Sequence, residues 1–99
     1  MANSIKSTTL EVKNDVKSVR TGNLFIETYN ENNFSRNYQG WFYYCCADYL
    51  AFVQEVKKEI HIISRADLIE LCKNLNEKNF GSIGGFLLPL ARVKQAKSY

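Results

Sequence analysis

The sequence predicts an α+β fold, in which one principal helix packs on a small, mostly antiparallel β-sheet of four to five strands. Several short segments are rich in β-forming residues, and one longer segment has helical periodicity. Their order is strand, strand, short helix, strand, strand, helix and a last short strand, which is typical of the α+β class. Because 99 residues supply one modest core, residues 1–99 are predicted to form a single domain.

The first two strands are predicted on either side of a polar connection. Leu10 and Val12 alternate with polar neighbours and indicate a strand over residues 8–14. Gly22-Asn23 precedes a second strand over residues 24–29. If these two strands pair with each other, the connection between them is a hairpin-like, antiparallel one.

The middle of the chain alternates between loop, helix and strand. Residues 30–39 are rich in Asn and predict a loop, and residues 40–47 favour a short helix. Residues 48–55 and 60–63 predict the third and fourth strands. His61 lies within the fourth strand, where we expect a hydrogen-bonded or solvated side chain rather than a general base.

The principal helix is predicted over residues 65–76. Ser64 is a suitable N-cap, and the negative charge of Asp67 in the first turn suits the helix dipole. Apolar residues recur at helical spacing at Leu68, Leu71, Cys72 and Leu75.

The C-terminal quarter of the chain is predicted to be less regular. Residues 79–85 indicate a loop, and residues 86–90 a short edge strand, because Pro89 cannot donate to a β-ladder. Residues 1–7 and 92–99 are predicted to be flexible tails.

Composition limits the class of protein. The net charge of +3 permits a nucleic-acid partner without requiring one. No apolar run approaches the ~18 residues of a membrane span, and no secretory leader is recognisable. Cysteines number three, an odd count, and Cys45 and Cys46 are adjacent, so reduced thiols and a cytoplasmic location are expected. A single His without a C-x₂-C pair argues against a zinc finger.

Glu11 and Lys13 carry the first candidate chemistry. Side chains two residues apart project from the same face of a strand, so a carboxylate capable of binding Mg²⁺ would lie beside an ammonium capable of activating water. The alternative is an exposed charge pair that contributes solubility. Asp15 is a second candidate ligand, or a turn residue that bonds its own backbone.

Aromatic and basic side chains give the second candidate surface. Trp41, Tyr49 and Phe52 are predicted to lie in the core, whereas Tyr38 and Tyr43 are candidates for an exposed contact surface. The basic candidates either form a surface that follows phosphates or are scattered over the protein. They are Lys13, Lys17, Arg20, Arg36, Arg92 and Lys94.

Several motifs resemble the PD-(D/E)xK nuclease superfamily, in particular phage and mobile-element members. The matching segments are E-V-K-x-D at residues 11–15, T-G-N-L-F-I-E at 21–27, G-W at 40–41, A-D-Y at 47–49, the strand at 60–63 and L-x-x-L at 68–71. The resemblance implies the C-terminal part of a restriction-endonuclease-like core, truncated before the strand that carries the family's Asp.

The resemblance implies that Glu11 binds Mg²⁺ and that Lys13 positions or deprotonates the attacking water, as the matching residues do in that family. Residues 1–10 contain no acidic residue that could act as the partner Asp. Asp15, Glu27 or another chain would have to supply the second carboxylate, because a magnesium site generally needs more than one.

Two functions follow as hypotheses. The first is a non-catalytic protein that binds nucleic acid, or that inhibits a nucleic-acid-directed defence complex of the CRISPR or restriction type, and needs no cofactor. The second is an Mg²⁺-dependent DNA endonuclease completed by a partner chain. A homodimer is expected in either case, because a truncated sheet leaves an open edge.

Overall fold

The computed structural model describes residues 8–15 and 21–95. Its strands are β1 (Leu10–Asn14), β2 (Asn23–Asn30), β3 (Tyr49–Gln54), β4 (Glu59–Ser64), β5 (Lys78–Asn79) and β6 (Ile83–Pro89). Its α-helices are α1 (Trp41–Tyr44), α2 (Arg65–Cys72) and α3 (Leu90–Gln95), and Phe34–Arg36 forms a 3₁₀ turn. The predicted α+β class is confirmed.

The first sheet has the strand order β1-β3-β4. β3 is parallel to β1 and antiparallel to β4, and the parallel register sets Glu11 opposite Leu50 and Lys13 opposite Phe52. Glu11 and Lys13 therefore share the sheet face whose β3 residues belong to the core. The opposite face of the described sheet exposes Leu10, Val12 and Ile60.

The second sheet has the strand order β2-β6-β5, and both pairings are antiparallel. Its register slips at Thr28, since Glu27 pairs with Gly85 and Tyr29 with Gly84. A bulge of this kind requires small residues where two backbones approach closely. A Cβ atom on Gly85 would overlap the backbone carbonyl of Ile26.

Apolar side chains from both sheets and all three helices form one core cluster. Its buried members are Leu24, Ile26, Trp41, Leu50, Phe52, Ile63, Leu68, Cys72, Phe86, Leu88, Leu90 and Val93. Trp41 and Phe52 are buried as predicted, but Tyr49 is 37% exposed, so its assignment to the core was wrong. Tyr49 pairs with Leu10 on the outer face of the first sheet, where Leu10 is also exposed.

The two sheets replace the single sheet of four to five strands that the sequence predicted. The first two strands do not pair with each other, so the condition for a hairpin between them is not met: β1 pairs with β3 and β2 with β6. Periodicity identifies a strand and its buried face, but it contains no information about which strand lies beside it. Here the partners are distant in sequence.

Helix α2 begins where the sequence predicts and ends sooner. The Asp67 backbone N–H donates to Ser64 Oγ at 3.1 Å, which confirms the N-cap. The helix ends at Cys72 rather than residue 76. Beyond it the backbone tightens, since the Leu75 N–H donates to the Cys72 carbonyl three residues back.

The predictions for the C-terminal quarter need two corrections. β6 is the central strand of its sheet and not an edge strand, because Pro89 is its last residue and costs the ladder little. Residues 92–95 belong to α3 rather than to a flexible tail, since Leu90 and Val93 are buried one helical turn apart. The predicted loop over residues 79–85 holds the end of β5 and the start of β6. Residues 1–7 and 96–99 lie outside the described residues.

Of the two states predicted for His61, hydrogen-bonded or solvated, the structure shows the first, and the side chain is buried. Its Nε2 lies 3.1 Å from Gln54 Oε1 and 3.1 Å from Glu59 Oε1. Both oxygens are acceptors, so Nε2 carries the hydrogen. Lys94 of α3 reaches the same Glu59 oxygen at 3.9 Å and connects the helix to β4.

Candidate functional site

A cavity of about 630 Å³ opens between the first and second sheets. This volume lies within the range of small-molecule binding pockets. The cavity is lined by the C-terminal end of β1, the start of β2, helix α1, β3 and the β5–β6 hairpin. The lining residues are Lys13, Asn14, Asp15, Thr21, Asn23, Phe25, Trp41, Phe52, Phe80, Ile83 and Leu87.

Aromatic rings form much of the cavity wall. The Trp41 and Phe52 ring centres lie 6.2 Å apart with a tilt of 51°, and these rings belong to the core. Phe25 of β2 meets Phe80 of the β5–β6 turn edge to face at 5.9 Å. Phe80 is 54% exposed, so its ring offers the cavity an accessible aromatic surface.

Lys13 is the one basic residue among the described residues that line the cavity. Its Nζ lies 4.9 Å from the centre of the Trp41 ring, in range of a cation–π contact, and 3.6 Å from Glu11 Oε2. Because 27% of its side chain remains exposed, the ammonium can still meet a ligand at the rim of the cavity. The partly exposed Glu11 pair contributes little to stability.

Polar groups complete the rim at the ends of β1 and β2. The Asp15 backbone N–H donates to the Val53 carbonyl at 2.9 Å, which continues the parallel ladder one residue beyond β1. Asp15 is half-buried and lines the cavity together with Asn14. On the other side, the Asn23 N–H donates to Thr21 Oγ1 at 3.2 Å, and this turn positions the Asn23 side chain on the lining.

The structure places the predicted metal ligands apart. Glu11 does not line the cavity, whereas Asp15 does. Residues four apart in an extended strand have Cα atoms about 13 Å from each other, too far for both side chains to share one small ion readily. Glu27 lies in the second sheet, where the Asn30 amide donates to it at 3.3 Å. Residues 8–15 and 21–95 contain no group of three or more His, Cys, Asp and Glu arranged to hold a metal ion.

The other predicted binding residues, Arg36, Tyr38 and Tyr43, do not line the cavity. The Arg36 guanidinium stacks over the Tyr44 ring at 4.0 Å, and Tyr38 contacts Phe34 edge to face. The Tyr43 hydroxyl donates to Glu77 at 3.4 Å; partial burial and this carboxylate raise the pKa of Tyr43. Lys17 and Arg20 lie outside the described residues.

The basic candidates that are described do not form one patch. Lys94 lies beside Glu59 on β4, and Arg92 is exposed on the same helix, whereas Lys13 lies on β1. β1 and β4 are the two outer strands of the first sheet, so about 10 Å of sheet separates Lys13 from the Lys94 side. Lys13 and the basic residues of α3 therefore cannot contact neighbouring phosphates as parts of one continuous basic surface.

Sequence reasoning missed the aromatic wall of the cavity. Phe80 falls in a segment predicted as loop, and Phe25 in a strand whose partner, β6, the sequence did not identify. The sequence offered one signal for Phe80 as a binding residue, namely a large aromatic side chain beside Gly81 in a segment predicted as loop. Exposed aromatic side chains in turns often contact ligands.

Comparison of the chain with protein-family models, with curated proteins and with solved structures finds no match. The nuclease resemblance and the phage or mobile-element origin stay predictions from the motifs. No helix in the described part of the chain is long and apolar enough to cross a membrane.

Proposed function

We propose that this chain is a non-catalytic protein that binds single-stranded nucleic acid, with a base in the cavity and a neighbouring phosphate at Lys13. The observation that carries the proposal is the position of Lys13 at the rim of an aromatic cavity, 4.9 Å from the Trp41 ring centre. Stacking surfaces beside a cation are how proteins bind single strands with little sequence preference.

The cavity wall supports the base. Phe80 is accessible, and Phe25, which also lines the cavity, contacts its ring edge to face at 5.9 Å. A base in a duplex is stacked on both sides, and only an unpaired base can enter a cavity of this kind. The preferred ligand is therefore a single strand.

The polar rim supports an orientation for the nucleotide. Asn14, Asp15 and Asn23 supply acceptors and amide donors suited to the edge of a base. A carboxylate repels phosphate, so the phosphate lies on the Lys13 side and the base edge faces Asp15. Lys13 contributes affinity through counterion release and no sequence information.

The test is a titration of a fluorescein-labelled single-stranded oligonucleotide, read by anisotropy, with DNA and RNA versions compared. Phe80→Ala is expected to weaken binding about 5- to 150-fold, the equivalent of ~1–3 kcal/mol for one stacked base. Phe34→Ala is the matched control, since Phe34 is 76% exposed but does not line the cavity. Equal affinity of wild type and Phe80→Ala would refute the stacking role.

The charge contribution has its own matched pair. Lys13→Gln is expected to lower the slope of log affinity against log salt by about 0.7, the value for one phosphate of a single strand. Lys73→Gln is the control, because Lys73 is an exposed lysine that also pairs with a glutamate, at 2.9 Å. An unchanged slope in Lys13→Gln would remove Lys13 from the proposed site.

Incubation of supercoiled plasmid with the protein and Mg²⁺ or Mn²⁺ distinguishes the endonuclease hypothesis from non-catalytic binding. We expect no cleavage by the purified chain. Cleavage that is abolished by both Glu11→Ala and Lys13→Ala would instead establish the enzyme. Inhibition of a CRISPR or restriction complex stays a prediction; it would follow if the protein competes with such a complex for its single strand.

A further inference from the structure

We propose that two copies of this chain join through their β1 strands, which pair antiparallel around a two-fold axis at Val12. The partner is a second copy of the same chain. The proposal is argued from the backbone and charge order of β1, and it shares Lys13 with the ligand site proposed above.

One edge of β1 is unused within the described residues. The Thr9 carbonyl accepts from Tyr49, and the Asp15 N–H donates to Val53, so the odd-numbered residues of this segment direct their backbone groups toward β3. In a strand, alternate residues direct these groups to opposite sides. The N–H and C=O groups of Leu10, Val12 and Asn14 therefore point away from β3, and no described strand lies on that side.

The sequence of β1 is complementary to its own reverse. With the axis at Val12, Leu10 faces Asn14 of the partner subunit and Glu11 faces the partner's Lys13, so each interface holds two opposite-charge pairs. The backbone N–H and C=O of Val12 point outward, so Val12 and the partner's Val12 form a hydrogen-bonded pair. Glu11 and Lys13 then occupy the non-hydrogen-bonded positions on either side. Side chains in those positions approach most closely, which strengthens a charge pair.

The edge lacks two of the features that keep sheet edges apart, a proline and a bulge. β1 contains neither proline nor a bulge, and its exposed face carries Leu10 and Val12, which are 52% and 55% exposed. Lysine alone would discourage pairing, but here each Lys13 meets a glutamate. An unrelated strand would match this charge order only by chance.

The pairing would bring the two cavities together. Lys13 lines the cavity of its own subunit, and it would lie across one strand spacing, about 4.8 Å, from β1 of the second copy. The two cavities would thus flank the two-fold axis.

The test is the solution mass, measured by sedimentation equilibrium, of wild type and of two charge-reversed variants. Wild type should form dimers, whereas Glu11→Lys and Lys13→Glu should each be monomers, because each places two like-charge pairs across the axis. Mixing the two variants should restore a heterodimer, in which every pair is again of opposite charge. Glu70→Lys, an exposed charge reversal on α2, should leave the wild-type dimer intact.

A second measurement does not depend on charge reversal being tolerated. Hydrogen-bonded antiparallel pairs have Cα atoms about 5.5 Å apart, a distance that a disulfide can bridge. In a Cys46→Ser background, Val12→Cys should form an interchain disulfide under mild oxidation, and the equally exposed Ile60→Cys should not. A monomeric wild type, a dimer that survives Glu11→Lys, or equal cross-linking at residues 12 and 60 would overturn the proposal.

Discussion

Lys13 lies over Trp41, with its Nζ 4.9 Å from the ring centre, and this contact joins the first sheet to helix α1 at the rim of the cavity. The lysine comes from the strand that resembles a nuclease motif, and the tryptophan from the short helix α1, and both side chains line the cavity. A charged group held against an aromatic face in this way is suited to a ligand that has both a ring and a phosphate.

Trp41 is the single tryptophan of the chain, so its emission reports on this cavity. We expect a single-stranded oligonucleotide to quench Trp41 fluorescence with the same midpoint as the anisotropy titration. Inorganic phosphate at matched ionic strength should change it little, since phosphate alone does not enter an aromatic cavity. Quenching by phosphate alone would indicate that Lys13, and not base stacking, carries the interaction.

Gly85→Ala is expected to lower the free energy of unfolding by about 3 kcal/mol, because the new methyl group would overlap the Ile26 carbonyl at the bulge between β2 and β6. Urea unfolding monitored by circular dichroism measures this change. Gly84→Ala is the control: its Cβ would lie 3.1 Å from the Lys78 carbonyl, a contact that a small shift can relieve. Equal losses in the two variants would contradict the described register.

The three cysteines should react in the order of their exposure, Cys46 before Cys45 before Cys72. Burial raises the pKa of the Cys72 thiol to about 11, so at pH 8 it remains protonated and protected. Iodoacetamide labelling followed by peptide mass spectrometry gives the order, and all three should react in denaturant. Early modification of Cys72 would show that α2 does not pack as described.

The same thiol makes stability depend on pH. An unfolded Cys72 loses its proton near its ordinary pKa of 9.0, whereas the folded protein keeps it until about 11. The unfolded state then binds fewer protons, so stability present below pH 9 should be lost as pH rises toward 11. Cys72→Ala should reduce this pH dependence in urea unfolding, and an unchanged profile would assign it to other groups.

Local features of the fold could be predicted well. Ser64 fixed the start of α2, and alternation placed β1 to within two residues, because both depend on neighbouring residues only. Helix α3 was missed as a whole although Leu90 and Val93 have helical spacing, since six residues give a weak periodic signal. The exposure of Tyr49 followed from a sheet pairing that no local pattern contains.

The candidate site was predicted in part. Lys13 and Asp15 line the cavity, and both were candidates, but the role expected for Glu11 beside them does not follow from the observed geometry. Phe25 and Phe80 could not be connected in advance, because they meet only when β6 lies between β2 and β5. Trp41 and Phe52 could be assigned to the core from the sequence, whereas the contact between Phe25 and Phe80 depends on the strand order.

The most direct test of the central claim is to locate the base. Ultraviolet cross-linking of single-stranded oligothymidylate to the protein, followed by peptide mass spectrometry, identifies the side chains that contact it. We expect adducts on Phe80 or Trp41 in the cavity. Adducts confined to Phe34, Tyr38 or Tyr43, or none at saturating oligonucleotide, would contradict it.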